Sequence, residues 1–279
     1  MAAGHTKKNL TMIEVVEELK NVLDIGFPIL VMGILTYLKN MISVACMGRL
    51  GSLELAGGAL AIGFTNITGY SVLFGLAMGM EPLCSQAFGS KNFTMVSLTL
   101  QRTIVLLLFA SIPIAMLWIY LGPILLLLHQ EPEVVHIASL YCRFAIPDLM
   151  THSLLHPLRI YIRSKGTIWP MLWCTLVATV LHFPITVFFT FHQHLGIQGI
   201  AISTFIANLN ILLLLLGYLY YVHEEKIHLF KLLVLPSNTR TSLYEEWRTL
   251  LQLAIPSCLG VCLEWWWYEF MTLLAGYLY

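Results

Sequence analysis

An ionisable side chain inside a hydrocarbon layer is costly, so each one needs a reason to be there. Glu264 lies near the middle of the apolar stretch 249–276, eight residues after Pro256. A carboxyl in such low-dielectric surroundings can exchange a proton near neutral pH. It can equally be neutralised by a hydrogen bond, for instance to Tyr268 one turn along. Glu269 follows five positions later, about 140° round a helix, and reads as structural or interfacial. Asp148, His152 and His156 recur every four residues and so form one helical stripe. A His pair at i, i+4 beside a carboxylate could chelate zinc or relay protons, and a stripe turned into a helix bundle needs neither explanation. His156 precedes Pro157 near a basic helix end, which weighs against the metal. Glu81 and Asn66 are candidates to line an internal cavity or to hydrogen-bond within the interior. Gly75 and Gly79 make a small-xxx-small face suited to close helix contact. Lys39 and Arg143, both inside apolar stretches, are expected to pair with such carboxylates. The cluster Trp265–Tyr268 suits either cation and planar-ligand contacts or packing.

These residues need elements that can hold them in a bilayer. The chain has 279 residues, of which 58% are hydrophobic and 11% charged, with 15 basic and 15 acidic side chains. A soluble domain carries about a quarter charged residues, so this composition excludes a disordered chain and an ordinary cytosolic enzyme. A net charge of zero gives no polybasic handle for nucleic acid. Several apolar runs exceed the roughly 20 residues that cross a bilayer. The reading is an all-α integral membrane protein with seven spans, at 25–47, 57–88, 97–120, 134–162, 169–191, 199–222 and 249–276. Glycines and prolines inside them (Gly69, Pro113, Pro147, Pro184) are tolerated because neighbouring helices satisfy the freed backbone groups.

With a cytoplasmic N-terminus, 12 of the 15 basic residues fall on the inner side: Lys7, Lys8, Lys20, Lys91, Arg102, Arg159, Arg163, Lys165, Lys226, Lys231, Arg240 and Arg248. That asymmetry sets the orientation. It also leaves the Asn-x-Ser/Thr matches at Asn9, Asn66 and Asn92 on the cytoplasmic side or in the membrane, with no glycan expected. The six cysteines form no Cys-x-x-Cys pair and read as small packing residues. The N-terminal stretch lacks the apolar core of a cleavable signal peptide. No phosphate cradle is present, so ATP-driven transport is unsupported. No nucleophile–base pairing suggests an enzyme.

The segment ELKNVLDIGFP (Glu18–Pro28) recurs as EWRTLLQLAIP (Glu246–Pro256) at a constant offset of 228 residues, and Gly48 and Leu50 find Gly276 and Leu278 at the same offset. This looks like a parallel duplication of a six-span unit, the plan of many secondary transporters. The second copy is met only by its first helix, so the chain is expected to be a fragment, a truncated gene product or a splice form. The corresponding domains are a cytoplasmic N-terminal segment at 1–20, a six-helix lobe at 21–222, a cytoplasmic loop at 223–248 and the first helix of a second lobe at 249–279.

From about Glu18 to Gly276 the sequence resembles plant MATE (multidrug and toxic compound extrusion) transporters. The carrying segments are GRLGSLELAGGAL (Gly48–Leu60), TNITGYSVLFGLAMGMEPLCSQAFG (Thr65–Gly89), LQR (Leu100–Arg102), PLRIYIRSKG (Pro157–Gly166) and CLEWWWYE (Cys262–Glu269). The resemblance implies two six-helix lobes, of which this chain has the first plus a seventh span. It implies export or sequestration of small organic solutes in exchange for protons, with Glu264 as the proton-coupling carboxyl. Asn66, Glu81, Asp148 and His152 are then candidates for the substrate pathway. The coupling ion is the proton and no cofactor is implied; the partners are the lipid bilayer and a small organic solute. The membrane is an endomembrane (vacuole, Golgi or late endosome) or the plasma membrane. The acidic partner that the family places later in the second lobe has no counterpart in this sequence. That departure motivates a second expectation, a non-transporting product that binds a full-length relative.

Overall fold

The computed structural model describes residues 12–222 and 242–278, with side chains at all of these but 13, 14, 222, 242–246, 272, 273 and 275–278. Lys7, Lys8, Asn9, Lys226, Lys231 and Arg240, on which part of the orientation argument rests, lie outside the described residues.

Every described element is helical. The order is α1 (Met12–Leu50), α2 (Ser52–Thr65), a π turn (Asn66–Tyr70), α3 (Ser71–Met78), α4 (Met80–Gly89), α5 (Phe93–Ile119) and α6 (Leu121–Leu127). It continues with α7 (Pro132–Ser164), α8 (Trp169–Val187), a second π turn (Phe188–His192), α9 (Ile197–Val222) and α10 (Ser242–Leu278). The run from Ser52 to Gly89 crosses as one stretch, so the expected second span is a chain of α2, the π turn, α3 and α4.

The helix ends follow local chemistry. The Asn92 side chain accepts from the Met95 amide at 3.2 Å and caps α5. Pro132 opens α7, where its missing N–H costs nothing. Gly166, at φ 77°, stops α7 in the left-handed region that glycine enters freely.

Six described stretches are long and apolar enough to cross a membrane: Val15–Leu50, Ser52–Gly89, Phe93–Ile119, Trp169–His192, Ile197–Tyr221 and Trp247–Met271. Helix α7 is longer than most but more polar, because it carries Arg143, Asp148, His152, His156 and Arg159. Its polarity is explained by its place, packed against α2, α5 and α9 at the centre of the bundle. The buried set includes Met47, Leu73, Leu107, Trp118, Leu149, Leu155 and Leu215. The outward faces are equally apolar, with Phe109, Met116, Trp173, Val180 and Phe183 exposed. An apolar belt of that kind is what a bilayer covers. All six cysteines are free thiols, four of them buried.

Candidate functional site

Helix α7 turns Asp148 into the bundle, where it is only 2% exposed. Both carboxylate oxygens are taken. Asn208 Nδ2 of α9 donates to Oδ1 at 2.8 Å, and the Tyr70 hydroxyl at the end of the π turn donates to Oδ2 at 2.9 Å. Lys39 Nζ of α1 donates to the other end of the same amide, Asn208 Oδ1, at 2.6 Å. A lysine offers only donors and a carboxylate only acceptors, so the amide can sit only one way round. Asn208 therefore bridges a buried cation and a buried anion, and each charge is satisfied without direct contact.

The stripe continues one turn at a time along α7. His152 Nε2 lies 3.2 Å from Asn208 Nδ2 and 3.6 Å from Asp148 Oδ2. His152 Nδ1 lies 3.0 Å from His156 Nε2, and the two rings stack with centroids 4.8 Å apart. His156 in turn meets the edge of Phe74 on α3, with centroids 5.4 Å apart. Beside this chain a second buried group, His182 of α8, faces Ser43 Oγ at 3.1 Å, and Thr186 donates to Ser203 at 3.0 Å.

Arg143, expected to pair with a carboxylate, instead lies on the exposed side of α7. The cation that balances Asp148 is Lys39, from a helix more than a hundred residues away in the chain. Five residues separate Arg143 from Asp148, which is about 140° of helix rotation and enough to put them on different faces.

Helix α10 lies antiparallel along α3 and the π turn. Ala254 meets Gly79, Cys258 meets Gly75, Cys262 Sγ meets Ser71 Oγ at 3.7 Å, and Trp266 Nε1 donates to the Ile67 carbonyl at 3.0 Å. The register advances four residues at a time on both helices. A Cβ on Gly75 would come within 2.6 Å of Cys258 Cα, and one on Gly79 would strike the Ala254 backbone. The small residues thus permit a backbone-to-backbone approach. At the far end Asn66 Nδ2 donates to Glu269 Oε1 at 3.5 Å.

The sequence candidates therefore separate into four places. Asp148 and His152 share the buried cluster. Asn66 belongs to the α10 seam, together with Glu269. Glu81 forms an ion pair with Arg163 at 2.8 Å, both about a third exposed, near the end of α7 that carries Gly166. Arg163 is fifteen residues beyond Asp148, or about 22 Å along the helix. Glu264 is exposed. It lies two residues past Cys262, about 200° round α10 from the seam. Of the aromatic run, Trp265 approaches Phe74 with centroids 6.2 Å apart and Trp266 reaches the seam through its indole N–H, while Trp266, Trp267 and Tyr268 are all exposed.

Sequence reasoning missed Tyr70, Asn208 and His182. Asn208 did carry a signal, an amide in the run IANLNILLLLL, where an unbonded polar group would be costly. Tyr70 carried none, because nothing marks which face of a π turn looks inward.

Residues 28–188 match the MatE family. Protein DETOXIFICATION 55 of Arabidopsis thaliana is 60% identical over 279 residues, covering 98% of this chain and 56% of that protein. Protein DETOXIFICATION 51 of the same plant is 44% identical over 284 residues, covering 98% and 52%. The crystal structure of the eukaryotic MATE transporter AtDTX14 superposes with a TM-score of 0.81 at 31% identity, covering 94% of this chain and 57% of that one. The outward-facing conformation of a multidrug resistance MATE family transporter of the MOP superfamily gives a TM-score of 0.73 at 15% identity, covering 86% and 52%. At that identity the likeness is one of fold alone. The chain spans about half the length of the curated relatives it matches.

Proposed function

The chain belongs to the MATE family, and from that premise we propose that it serves as a transmembrane antiporter, moving small organic solutes out of the cytoplasm in exchange for protons. Glu264 is the proposed proton-coupling carboxyl. The observation that carries the assignment is the rotation of α10. Cys262, Trp266 and Glu269 face the first lobe, while Glu264 faces away from it on the same helix. A change of charge at Glu264 therefore acts on a helix already clasped to the lobe, and it biases that helix between two positions. On the distribution of lysine and arginine, the N-terminus is cytoplasmic. The membrane proposed is an endomembrane or the plasma membrane, and no cofactor is invoked.

The energetics suffice. A potential of 100 mV supplies about 2.3 kcal/mol per proton, and one pH unit adds about 1.4 kcal/mol. Together they sustain a solute gradient of a few hundredfold, at tenfold per about 1.4 kcal/mol. The test is uptake of a fluorescent organic cation or a phenolic into proteoliposomes under an imposed pH gradient. Glu264→Gln is expected to abolish the gradient-driven component. Transport indifferent to the pH gradient would refute the coupling, and full activity in the variant would refute the residue.

A further inference from the structure

Five polar side chains of the first lobe form an unbroken line of close contacts, from Lys39 through Asn208, Asp148 and His152 to His156. We propose that Asp148 is a second proton-exchange site, separate from Glu264, and that His152 and His156 form the wire by which protons reach it from the α3–α10 seam.

The alternative ligand for a buried carboxylate beside aromatic rings is an organic cation, and the geometry disfavours it. Asp148 is 2% exposed and both its oxygens are already bonded at 2.8 and 2.9 Å. A solute would have to expel Asn208 or Tyr70 to reach it. A proton need only hop. His156 is half-buried at the seam end, where Phe74 and Trp265 line its approach.

The hop balances. In the starting arrangement each histidine carries its hydrogen on Nε2. A proton adds to His156 Nδ1, and the Nε2 hydrogen of His156 passes to His152 Nδ1 across 3.0 Å. The Nε2 hydrogen of His152 then passes to Asp148 Oδ2, now 3.6 Å away. Both rings finish neutral with hydrogen on Nδ1, and Asp148 finishes as a carboxylic acid. His152 Nε2 is then bare, and Asn208 Nδ2, 3.2 Å away, donates to it. The Tyr70 hydroxyl can reverse and accept the new acid hydrogen, since a phenol both donates and accepts. The transfer gives the second Asn208 amide hydrogen, which has no acceptor while His152 Nε2 is protonated, a partner in that bare nitrogen, so the amide ends with both hydrogens bonded, to Asp148 Oδ1 and His152 Nε2.

The ionisable groups around the acid are Lys39 from α1, Tyr70 from the π turn, and Tyr141 and His152 from α7; Arg159 of α7 stands beside His156. Helix α9 contributes the neutral Asn208. With Asp148 ionised the Lys39–Asp148 pair is neutral, and with it protonated the cluster carries one positive charge. That change is of a size to move helices in a low-dielectric interior.

Infrared difference spectroscopy on the full chain in lipid nanodiscs tests this without transport. On acidification a protonated-carboxyl band is expected in the wild type and in Glu264→Gln, and it is expected to be lost in Asp148→Asn. Tyr70→Phe, which removes one hydrogen bond to Oδ2, is expected to shift the frequency of that band. His156→Leu is expected to leave its final size unchanged while slowing its growth at least tenfold after a pH jump. A band indifferent to Asp148→Asn, or unmoved in Tyr70→Phe, overturns the site; the second variant decides if the first does not fold. An unaltered rate in His156→Leu overturns the wire. Loss of coupled transport in Glu264→Gln with the Asp148 band intact separates this site from the one proposed above.

Discussion

Asn208 joins Lys39 to Asp148 by two short hydrogen bonds, of 2.6 and 2.8 Å, so the ammonium and the carboxylate stand no more than about 8 Å apart. At an effective dielectric constant of about 20 their attraction is worth roughly 2 kcal/mol. Lys39→Met deletes the cation and leaves Asp148 charged, buried and uncompensated, a loss of about 3–5 kcal/mol for one partner of a buried pair. Asp148→Asn on its own strands the ammonium in the same way. The double variant removes both charges and keeps the amide bridge, so it is expected to be less damaged than the sum of the singles by roughly 2 kcal/mol. For a chain of this size that is on the order of 4–8 °C in unfolding midpoint. Thermal unfolding of the four proteins in one detergent, followed by tryptophan fluorescence, gives the cycle directly. Singles whose effects simply add, to within about 0.5 kcal/mol, would show that the amide does not carry charge compensation, and the reasoning about the cluster would fall.

Two further outcomes follow from contacts elsewhere. Gly79→Leu forces a side chain against the Ala254 backbone, at about 1–3 kcal/mol for overpacking. With Cys258 as the sole cysteine, maleimide labelling of its thiol is expected to quicken about tenfold, and an unchanged rate would mean that α10 does not rest on Gly79. Glu81→Gln breaks a pair whose side chains are 34% and 35% exposed. Screened pairs of that kind contribute about 0–1 kcal/mol, so its unfolding midpoint and transport rate are expected to stay near wild type; a collapse of transport would place Glu81 on the pathway.

What could be read beforehand divides along a physical line. Hydropathy registers length and polarity along the chain, so the spans were legible, and the polar fourth one stood out through Asp148 and its histidines. The i, i+4 spacing fixes which residues share a face of one helix, which is why the Asp148–His152–His156 stripe and the Gly75–Gly79 pair were recognisable. It says nothing about which neighbour that face meets. Lys39 and Asn208 are 169 residues apart, and their pairing depends on how α1 and α9 pack. The same gap explains the two carboxyls of α10. Rotation by 100° per residue separates Glu264 from Glu269, but only the packed structure tells which of them meets Asn66. The π turn was invisible because one extra residue per turn leaves no mark on composition.

That extra residue matters to the seam. In an α-helix a stride of four residues overshoots a full turn by about 40°, so a stripe of every fourth residue winds steadily round the helix. A wider π turn, at roughly 4.4 residues per turn, undershoots on the same stride by about 30°. The step from Ile67 to Ser71 begins inside the π turn and so offsets part of the winding between Ser71, Gly75 and Gly79. Those four positions consequently stay under α10 for its whole contact, matched by Trp266, Cys262, Cys258 and Ala254. The same turn points Thr68 at the Trp118 indole, which donates to it at 3.0 Å, and Tyr70 at Asp148. Five residues thus touch the seventh span on one side and the buried carboxylate on the other. The seat of α10 and the bonding of Asp148 therefore share one five-residue segment, through Asn66 and Ile67 on one side and Tyr70 on the other.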